Sequence, residues 1–210
     1  MERDRSDAED LQKIEEYLSG NERAFEFLFD KYREKVYAVA FRFVRSKEDA
    51  LDVCQEVFLR VHHGLRGFKT DSKFFTWLYR ITVNRAIDFS RARKARRTVE
   101  LDATSATGES FADTKEDENS PDPQDVLARK EVAARLLEAV AALSTKHRAV
   151  FVLHAMEGCS YKQIAEVVGC SLGTVMSRLF YARKKLQAVL SPDGEPKEGG
   201  SNKTPDGGDP

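Results

Sequence analysis

Apolar residues recur at steps of three and four along much of this 210-residue chain, which is the period of an α-helix with one buried face. The first stripe predicts one long amphipathic helix and consists of Phe25, Leu28, Phe29, Tyr32, Val36, Val39, Ala40 and Phe43. The second stripe consists of Ala50, Val53, Val57, Phe58 and Val61. No alternation of apolar and polar residues competes with these stripes, so the fold is predicted to be all-α.

Residues at both ends of the second stripe indicate where its helix begins and stops. Ser46 suits an N-cap with Asp49 three residues later, and Gly64 and Gly67 favour termination. A third helix is predicted to begin near Phe74 and to run into an arginine-rich end. Its apolar positions, the first three of which are expected in the core, are Trp77, Leu78, Ile81 and Ile87.

A second helical unit follows residue 125. Two further stripes consist of Val126, Leu127, Val132, Leu136, Leu137, Val140, Leu143, Val150, Phe151 and Leu153. Ser160 then precedes Gln163 in a capping-box pattern, Ala165 lies four residues before Gly169, and Val175 lies six residues after it. A small residue, a glycine turn and an apolar anchor at these spacings are typical of a helix-turn-helix motif. A plain helical hairpin is the alternative.

Charge divides the chain into five segments, although the formal net charge is only -1. Residues 22–98 hold 18 basic and 10 acidic groups, and residues 126–190 hold 10 basic and 4 acidic groups. Residues 1–21, 99–125 and 191–210 are acidic. We therefore predict two small basic helical domains joined by a flexible acidic linker, with an acidic N-terminal extension and a disordered tail.

The sequence argues against several classes of protein. No apolar run approaches the roughly 18 residues of a membrane-spanning helix, and the N-terminal sequence lacks the apolar stretch of a secretory signal. Membrane insertion is therefore not expected, and a cytoplasmic location is. The cysteines and histidines show neither CxxC nor HxxxH spacing, and no glycine-rich phosphate loop is present. We expect no metal, no cofactor and no catalytic residue.

Basic and aromatic residues cluster near the end of the first domain in a pattern that suits nucleic acid. Arg91, Arg93 and Lys94 extend the third helix and would attract phosphates without choosing a sequence. Just upstream, FKTDSKFFTWLYRITVNRAIDF interleaves aromatic rings with polar groups, which suits single-stranded bases. The candidates for base contact are Phe68, Ser72, Lys73 and Asn84. A solvated basic run is the alternative for the arginine-rich end.

Two carboxylates lie one helical turn apart on the second helix. Asp52 and Glu56 flank Gln55, with no paired histidine and no evident pocket. Acid–base or metal chemistry is therefore a weaker interpretation than an acidic docking face for a basic partner. A solvated acidic face is the other alternative.

Together these segments resemble the extracytoplasmic-function sigma factors, the smallest class in the sigma-70 family of bacterial RNA polymerase subunits. DVCQEVFLRV is similar to the family's polymerase-binding helix, and FFTWLYRITVNRAID to its promoter-melting and minus-ten element. SYKQIAEVVGCSLGTVMSRLFYARKKL is similar to its reader of the minus-thirty-five element. The resemblance spans residues 22–190 and implies a region 2-like domain at 22–98 and a region 4-like domain at 126–190. It implies a non-catalytic subunit that directs core polymerase to promoters of a stress- or signal-responsive regulon.

The resemblance also implies roles for individual residues. Those that would face the polymerase are Asp52, Gln55, Glu56 and Phe58. Those that would contact minus-ten DNA are Phe68, Ser72, Lys73, Asn84, Arg91, Arg93 and Lys94, with Phe68 and Asn84 in a pocket for a flipped base. Those that would contact minus-thirty-five DNA are Ser171, Gly173, Thr174, Met176, Ser177, Arg178, Phe180, Tyr181 and Arg183. Many relatives carry a basic residue where this chain has Met176 and Tyr181.

The implied partners are promoter DNA and core RNA polymerase, through the clamp of its largest subunit and the flap of its second-largest subunit. An anti-sigma factor, often membrane-bound in relatives, is a further candidate partner that would hold the chain at a membrane. An autonomous helix-turn-helix regulator is an alternative, but it leaves FFTWLYRITVN without a role. An enzyme acting on nucleic acid would depend on Asp52 and Glu56 alone.

Overall fold

In the part of the chain that a computed structural model describes, all regular structure is helical, which confirms the predicted all-α class. The residues described are 2–69, 73–100 and 123–190, with side chains for 6–69, 73–96 and 131–190. Within these ranges the α-helices are α1 (Glu2–Leu18), α2 (Arg23–Val44), α3 (Lys47–Gly64), α4 (Phe74–Glu100), α5 (Pro123–Ala141), α6 (Thr145–Phe151), α7 (Tyr161–Val168) and α8 (Leu172–Leu190).

The first domain packs α2, α3 and α4 around one apolar core. Its fully buried side chains include Leu28, Val36, Val39, Val53, Val57, Val61, Leu78 and Val83. The Ser46 hydroxyl accepts a hydrogen bond from the backbone N–H of Asp49 at 3.3 Å, so α3 begins at the predicted cap. A short 3₁₀ turn, Leu65–Gly67, follows α3. Most positions of these stripes are therefore buried, but Phe29 is 36% exposed, and Trp77 and Ile81, which were expected in the core, are only half-buried.

Helix α1 departs from the predicted plan of domains. Residues 1–21 were expected to be a flexible acidic extension, but α1 packs on α2 and α4. Ile14 is buried in the core, and the buried Asp10 carboxylate lies 2.6 Å from Lys31 Nζ. Its other oxygen accepts a hydrogen bond from the Tyr32 hydroxyl at 2.5 Å. Because two partners compensate the buried charge, this acidic helix belongs to the first domain.

The second domain consists of α5 to α8. Its core side chains include Val150, Leu153, Ile164, Val175, Leu179 and Leu186. Helix α6 continues into a π-helical segment, Val152–Met156, before the chain reaches α7. The Ser160 hydroxyl accepts from the N–H of Gln163 at 3.3 Å, and the Gln163 side chain accepts from the N–H of Ser160 at 2.8 Å. The predicted capping box is therefore present at the start of α7.

The two domains contact each other, which no feature of the sequence predicted. The Tyr79 hydroxyl of α4 donates a hydrogen bond to the Glu157 carboxylate at 2.5 Å, and the Arg80 guanidinium donates to the backbone oxygen of Glu166 at 2.8 Å. Burial and the nearby Glu157 raise the pKa of Tyr79, so its hydroxyl stays protonated as the donor. Helix α4 of the first domain thus packs against α7 of the second.

Several predictions fall on residues beyond the described ranges. They are Ser72, most of the predicted linker at 101–122, and the tail at 191–210. Among the described helices, none combines the length and apolar character needed to cross a lipid bilayer. Likewise, the described residues include no group of three or more histidine, cysteine, aspartate or glutamate side chains placed to hold a metal ion.

Candidate nucleic-acid interface

Helices α7 and α8 form a helix-turn-helix with the predicted anchors. Gly169 ends α7 in the left-handed region at φ +64° and ψ +49°, a conformation that suits glycine. The Ser171 hydroxyl accepts a hydrogen bond from the N–H of Thr174 at 3.2 Å at the start of α8. Val175 and Leu179 are buried, which fixes the helix on its core. The opposite face of α8 is therefore held outward.

The outward face of α8 carries the residues predicted to contact the upstream element. The exposed ones are Ser171, Gly173, Met176, Ser177, Phe180, Tyr181 and Arg183, and Thr174 and Arg178 are half-buried. The helix contains no acidic residue and four basic ones, Arg178, Arg183, Lys184 and Lys185. An exposed, positively charged helix that follows a tight turn has the shape and charge to enter the major groove of DNA.

Two of the predicted base-binding residues, Phe68 and Asn84, lie beside or on one face of α4. The half-buried Phe68 ring packs on Trp77 with centroids 5.2 Å apart. A Cβ added at Gly64 would lie 3.1 Å from the indole of Trp77, so the glycine permits this close packing. Asn84 is exposed, and its position seven residues after Trp77 places it on the same face, about 10 Å further along the axis. Phe68 and Asn84 thus flank one surface.

Basic side chains near this surface are held by carboxylates of the same domain. Arg91 and Lys94 are exposed on α4. Arg93 forms an ion pair with Asp49 of α3, and Lys73 forms one with Asp7 of α1. Phosphates that approach Arg93 or Lys73 must therefore compete with a carboxylate, so the two charges are less available than the sequence indicates.

The acidic face of α3 contains only part of the set predicted to face the polymerase. Asp52 and Gln55 are exposed, as that role requires. Glu56 instead forms a two-pronged ion pair with Arg85 of α4, with Oε1 lying 2.6 Å from Arg85 Nη2. Hydrogen bonding from Arg85 lowers the pKa of Glu56, so this carboxylate stays charged. Glu56 therefore links α3 to α4, and a partner that binds its carboxylate must compete with Arg85.

The prediction that the Phe58 side chain faces a partner is wrong for this structure. Phe58 is only 5% exposed, and its ring packs edge-on against Phe29 with centroids 4.7 Å apart. The exposed apolar residues of α3 are instead Leu51 and Leu59, at 54% and 59%. Helical spacing could have identified both, because they lie four residues on either side of Gln55 and fall outside the stripe that forms the core.

Comparison with known proteins gives consistent matches over both domains. The sequence matches the family described as Sigma-70 region 2 over residues 28–98 and the family described as Sigma-70, region 4 over residues 133–186. It is 36% identical over 184 residues to the RNA polymerase sigma-H factor of Pseudomonas aeruginosa. That alignment covers 88% of this chain and 95% of the relative. It is 32% identical over 179 residues to the ECF RNA polymerase sigma-E factor of Escherichia coli. That alignment covers 85% of this chain and 93% of the relative.

Two solved structures share the fold. CnrH in complex with the cytosolic domain of CnrY matches with a TM-score of 0.61 and 29% identity over 88% of this chain and 96% of that chain. The sigma factor RpoE of Bartonella quintana, in complex with the anti-sigma factor NepR, matches with a TM-score of 0.61 and 27% identity over 80% and 98%. The chain therefore belongs to the extracytoplasmic-function sigma factors of the sigma-70 family, non-catalytic subunits that direct core RNA polymerase to promoters.

Proposed function

We propose that the two domains divide the work of promoter recognition, with α8 on the minus-thirty-five element and α4 on the minus-ten element. The observation that carries this proposal is the outward face of α8, which is exposed, basic and fixed by a buried opposite face. Contacts of the basic side chains with phosphates would place the helix, and contacts with base edges would choose the sequence.

Helix α3 supplies the surface for core polymerase. Its outward face combines the charge of Asp52 and the amide of Gln55 with the apolar side chains of Leu51 and Leu59. Apolar anchors inside a polar rim are the usual composition of a strong protein interface. The acidic group suits a basic partner such as the clamp of the largest polymerase subunit, and the apolar pair supplies most of the binding energy.

The Phe68 and Trp77 rings, together with Asn84, act on the DNA strand that is displaced when the duplex opens. A base flipped out of the stack loses a few kcal/mol of stacking and pairing energy, which a protein surface must restore. Aromatic rings restore stacking, and the Asn84 amide offers both a donor and an acceptor to the edge of the base. Binding of the flipped base thereby favours strand separation.

Replacing Asn84 by alanine is expected to reduce strand opening about tenfold while changing duplex binding by less than twofold. The loss corresponds to one or two hydrogen bonds that form only after the base has left the duplex. Permanganate reactivity of unpaired promoter thymines measures opening, and filter retention of duplex promoter measures binding, both with the variant bound to core polymerase.

Asn21→Ala is the matched control, because Asn21 is also an exposed asparagine but lies in the loop between α1 and α2. The control is expected to leave both readouts unchanged. Equal losses of opening and of duplex binding in Asn84→Ala would contradict the assignment, because Asn84 would then contact paired DNA.

Simultaneous binding of both elements requires the domains to separate. The elements are centred about 25 base pairs apart, or about 85 Å along straight DNA, whereas a compact chain of this length is about 45 Å across. Contacts such as the hydrogen bond from Tyr79 to Glu157 therefore belong to the protein before it binds a promoter. The segment between α4 and α5 must then span the gap between the two separated domains.

The location and the regulatory partner follow from this role. A subunit that joins polymerase and promoter DNA acts in the bacterial cytoplasm. CnrH and the Bartonella quintana RpoE were solved with the cytosolic domain of CnrY and with the anti-sigma factor NepR, respectively. We extend to this chain the proposal of an anti-sigma partner, which would hold it at the membrane if that partner were itself membrane-bound.

A further inference from the structure

An apolar stripe runs along the outward face of the recognition helix. Leu172, Met176 and Phe180 are 47%, 53% and 63% exposed. Residues four apart lie nearly above one another on an α-helix, so these three side chains form one line. The adjoining face is buried through Val175 and Leu179. The stripe therefore runs along the edge of the buried face, and about half or more of each side chain stays in solvent unless a ligand covers it.

The polar side chains of the same face are engaged within the domain. The Ser171 and Thr174 hydroxyls lie 2.9 Å apart in a hydrogen bond, and the Ser177 hydroxyl donates to the backbone oxygen of Thr174 at 3.1 Å. The Arg178 guanidinium lies 3.7 Å from the Cys170 sulfur, on the side of the turn. The first turns therefore expose apolar side chains beside hydroxyls that already have partners within the helix.

The Phe180 ring contacts an aromatic neighbour. It packs edge-on against Tyr181 with centroids 5.6 Å apart, and Tyr181 in turn packs beside His147 of α6 with centroids 6.3 Å apart. Tyr181 thus lies between the Phe180 ring and α6, on one side of the stripe. Met176, one turn earlier, is unbranched and adapts to the surface it meets.

The charge around the stripe indicates nucleic acid as the ligand. Helix α8 has no acidic residue, and Arg183, Lys184 and Lys185 are exposed one turn beyond Phe180. In the major groove, thymine alone presents a methyl group, and apolar side chains such as phenylalanine contact that methyl. An apolar line one residue wide, flanked by cations that reach phosphates, has the composition to meet thymine methyl groups inside the groove.

We propose that Met176 and Phe180 read thymines of the minus-thirty-five element by apolar contact with their 5-methyl groups. This inference rests on the proposed function of α8. It assigns a chemical preference to Met176, whose thioether side chain is suited to apolar contact. Tyr181 is a positioning residue that packs against the Phe180 ring.

The test replaces thymine by uracil, which differs only in lacking the methyl group. Promoters are first mapped by run-off transcription with the full chain and core polymerase. Each thymine of the mapped upstream element is then replaced singly by deoxyuridine, and holoenzyme binding is measured. At one or two positions we expect affinity to fall about fourfold, the effect of losing one buried methyl group.

Met176→Ala and Phe180→Ala are expected to weaken binding to the natural promoter and to abolish the difference between thymine and uracil. Val189→Ala is the matched control, because Val189 is an exposed apolar residue near the far end of α8, at 49%. That variant should keep the fourfold difference. All three side chains are exposed, so helix content by circular dichroism should not change.

Three results would overturn the inference while leaving the proposed function intact. One is transcription from promoters whose upstream element contains no thymine on either strand. Another is equal affinity of the unaltered holoenzyme for thymine and uracil at every position. The third is a loss in Met176→Ala and Phe180→Ala that is the same on both DNAs, as expected if the stripe docks on a protein. Absence of any promoter-specific transcript would instead contradict the proposed function itself.

Discussion

The double variant Leu51→Ala, Leu59→Ala is expected to bind core RNA polymerase about 50-fold more weakly than the unaltered chain. Both side chains are slightly more than half exposed in the free protein, at 54% and 59%, and would be covered in the complex. Covering the exposed half of a leucine stabilises a complex by about 1.2 kcal/mol, and two such losses correspond to about 50-fold in affinity. Fluorescence titration of labelled chain with core polymerase measures the change.

Two comparisons make this result specific to α3. Val132→Ala removes an apolar side chain of α5 that is 61% exposed, and it should leave the affinity for core polymerase within about twofold. Phe58→Ala removes a buried ring, so its expected effect is loss of folding stability rather than of a binding contact. Unchanged affinity in the double variant would place the polymerase contact on another face.

Replacing Asp10 by alanine is expected to lower the free energy of unfolding by about 3 kcal/mol, because it removes a buried charge that pairs with Lys31 and accepts a hydrogen bond from Tyr32. The Asp10 side chain is 1% exposed, and its carboxylate contacts both Lys31 Nζ and the Tyr32 hydroxyl. Without it, a largely buried ammonium group and a buried hydroxyl lose their shared partner. Urea unfolding followed by circular dichroism measures the difference.

Glu9→Ala supplies the matched control, because Glu9 contacts the same Lys31 Nζ at 2.9 Å but is 50% exposed. An exposed ion pair contributes about 0.5 kcal/mol, so the control should be nearly as stable as the unaltered chain. If the two variants unfold at the same urea concentration, α1 is not docked on α2 in solution, and the predicted extension at 1–21 would be the better description.

Helix positions and ends could be predicted from the sequence because they depend on residues close together along the chain. The stripes locate buried faces, and Ser46, Ser160 and Gly169 specify ends through hydrogen bonds and backbone angles within a few residues. The helix-turn-helix was predictable for the same reason. Its anchors, Val175 and Leu179, lie at fixed steps from the turn.

The features that could not be predicted depend on contacts between distant residues. The Asp10 carboxylate is compensated by Lys31, 21 positions later, and Glu56 is matched by Arg85, 29 positions later. Counts of charge along the sequence cannot show such pairing. From the sequence, α1 is therefore expected to be too acidic to pack, and Glu56 is expected to be free to bind a partner. The contact of Tyr79 with Glu157 is more distant still, because it joins separate domains.

The sequence predicted the exposed face of α8, but it did not predict correctly which side chains of α3 are exposed. The outward face of α8 follows from the period of the helix, and the structure places the predicted residues there in exposed or half-buried positions. On α3, by contrast, Phe58 was grouped with the docking face although it also belongs to the core stripe. Leu51 and Leu59 are the exposed apolar pair of α3, and helical spacing could have identified them because they fall outside the core stripe.

Run-off transcription is the most direct test of the central claim that this chain directs core polymerase to promoters through its two domains. Purified full chain and core polymerase are combined on genomic fragments from the source bacterium, and the 5′ ends of the transcripts are sequenced. We predict discrete start sites that require the chain and share two upstream motifs, near positions minus ten and minus thirty-five. If the chain adds no transcript to those of core polymerase yet binds duplex DNA on its own, the account is contradicted and an autonomous helix-turn-helix regulator is the better description.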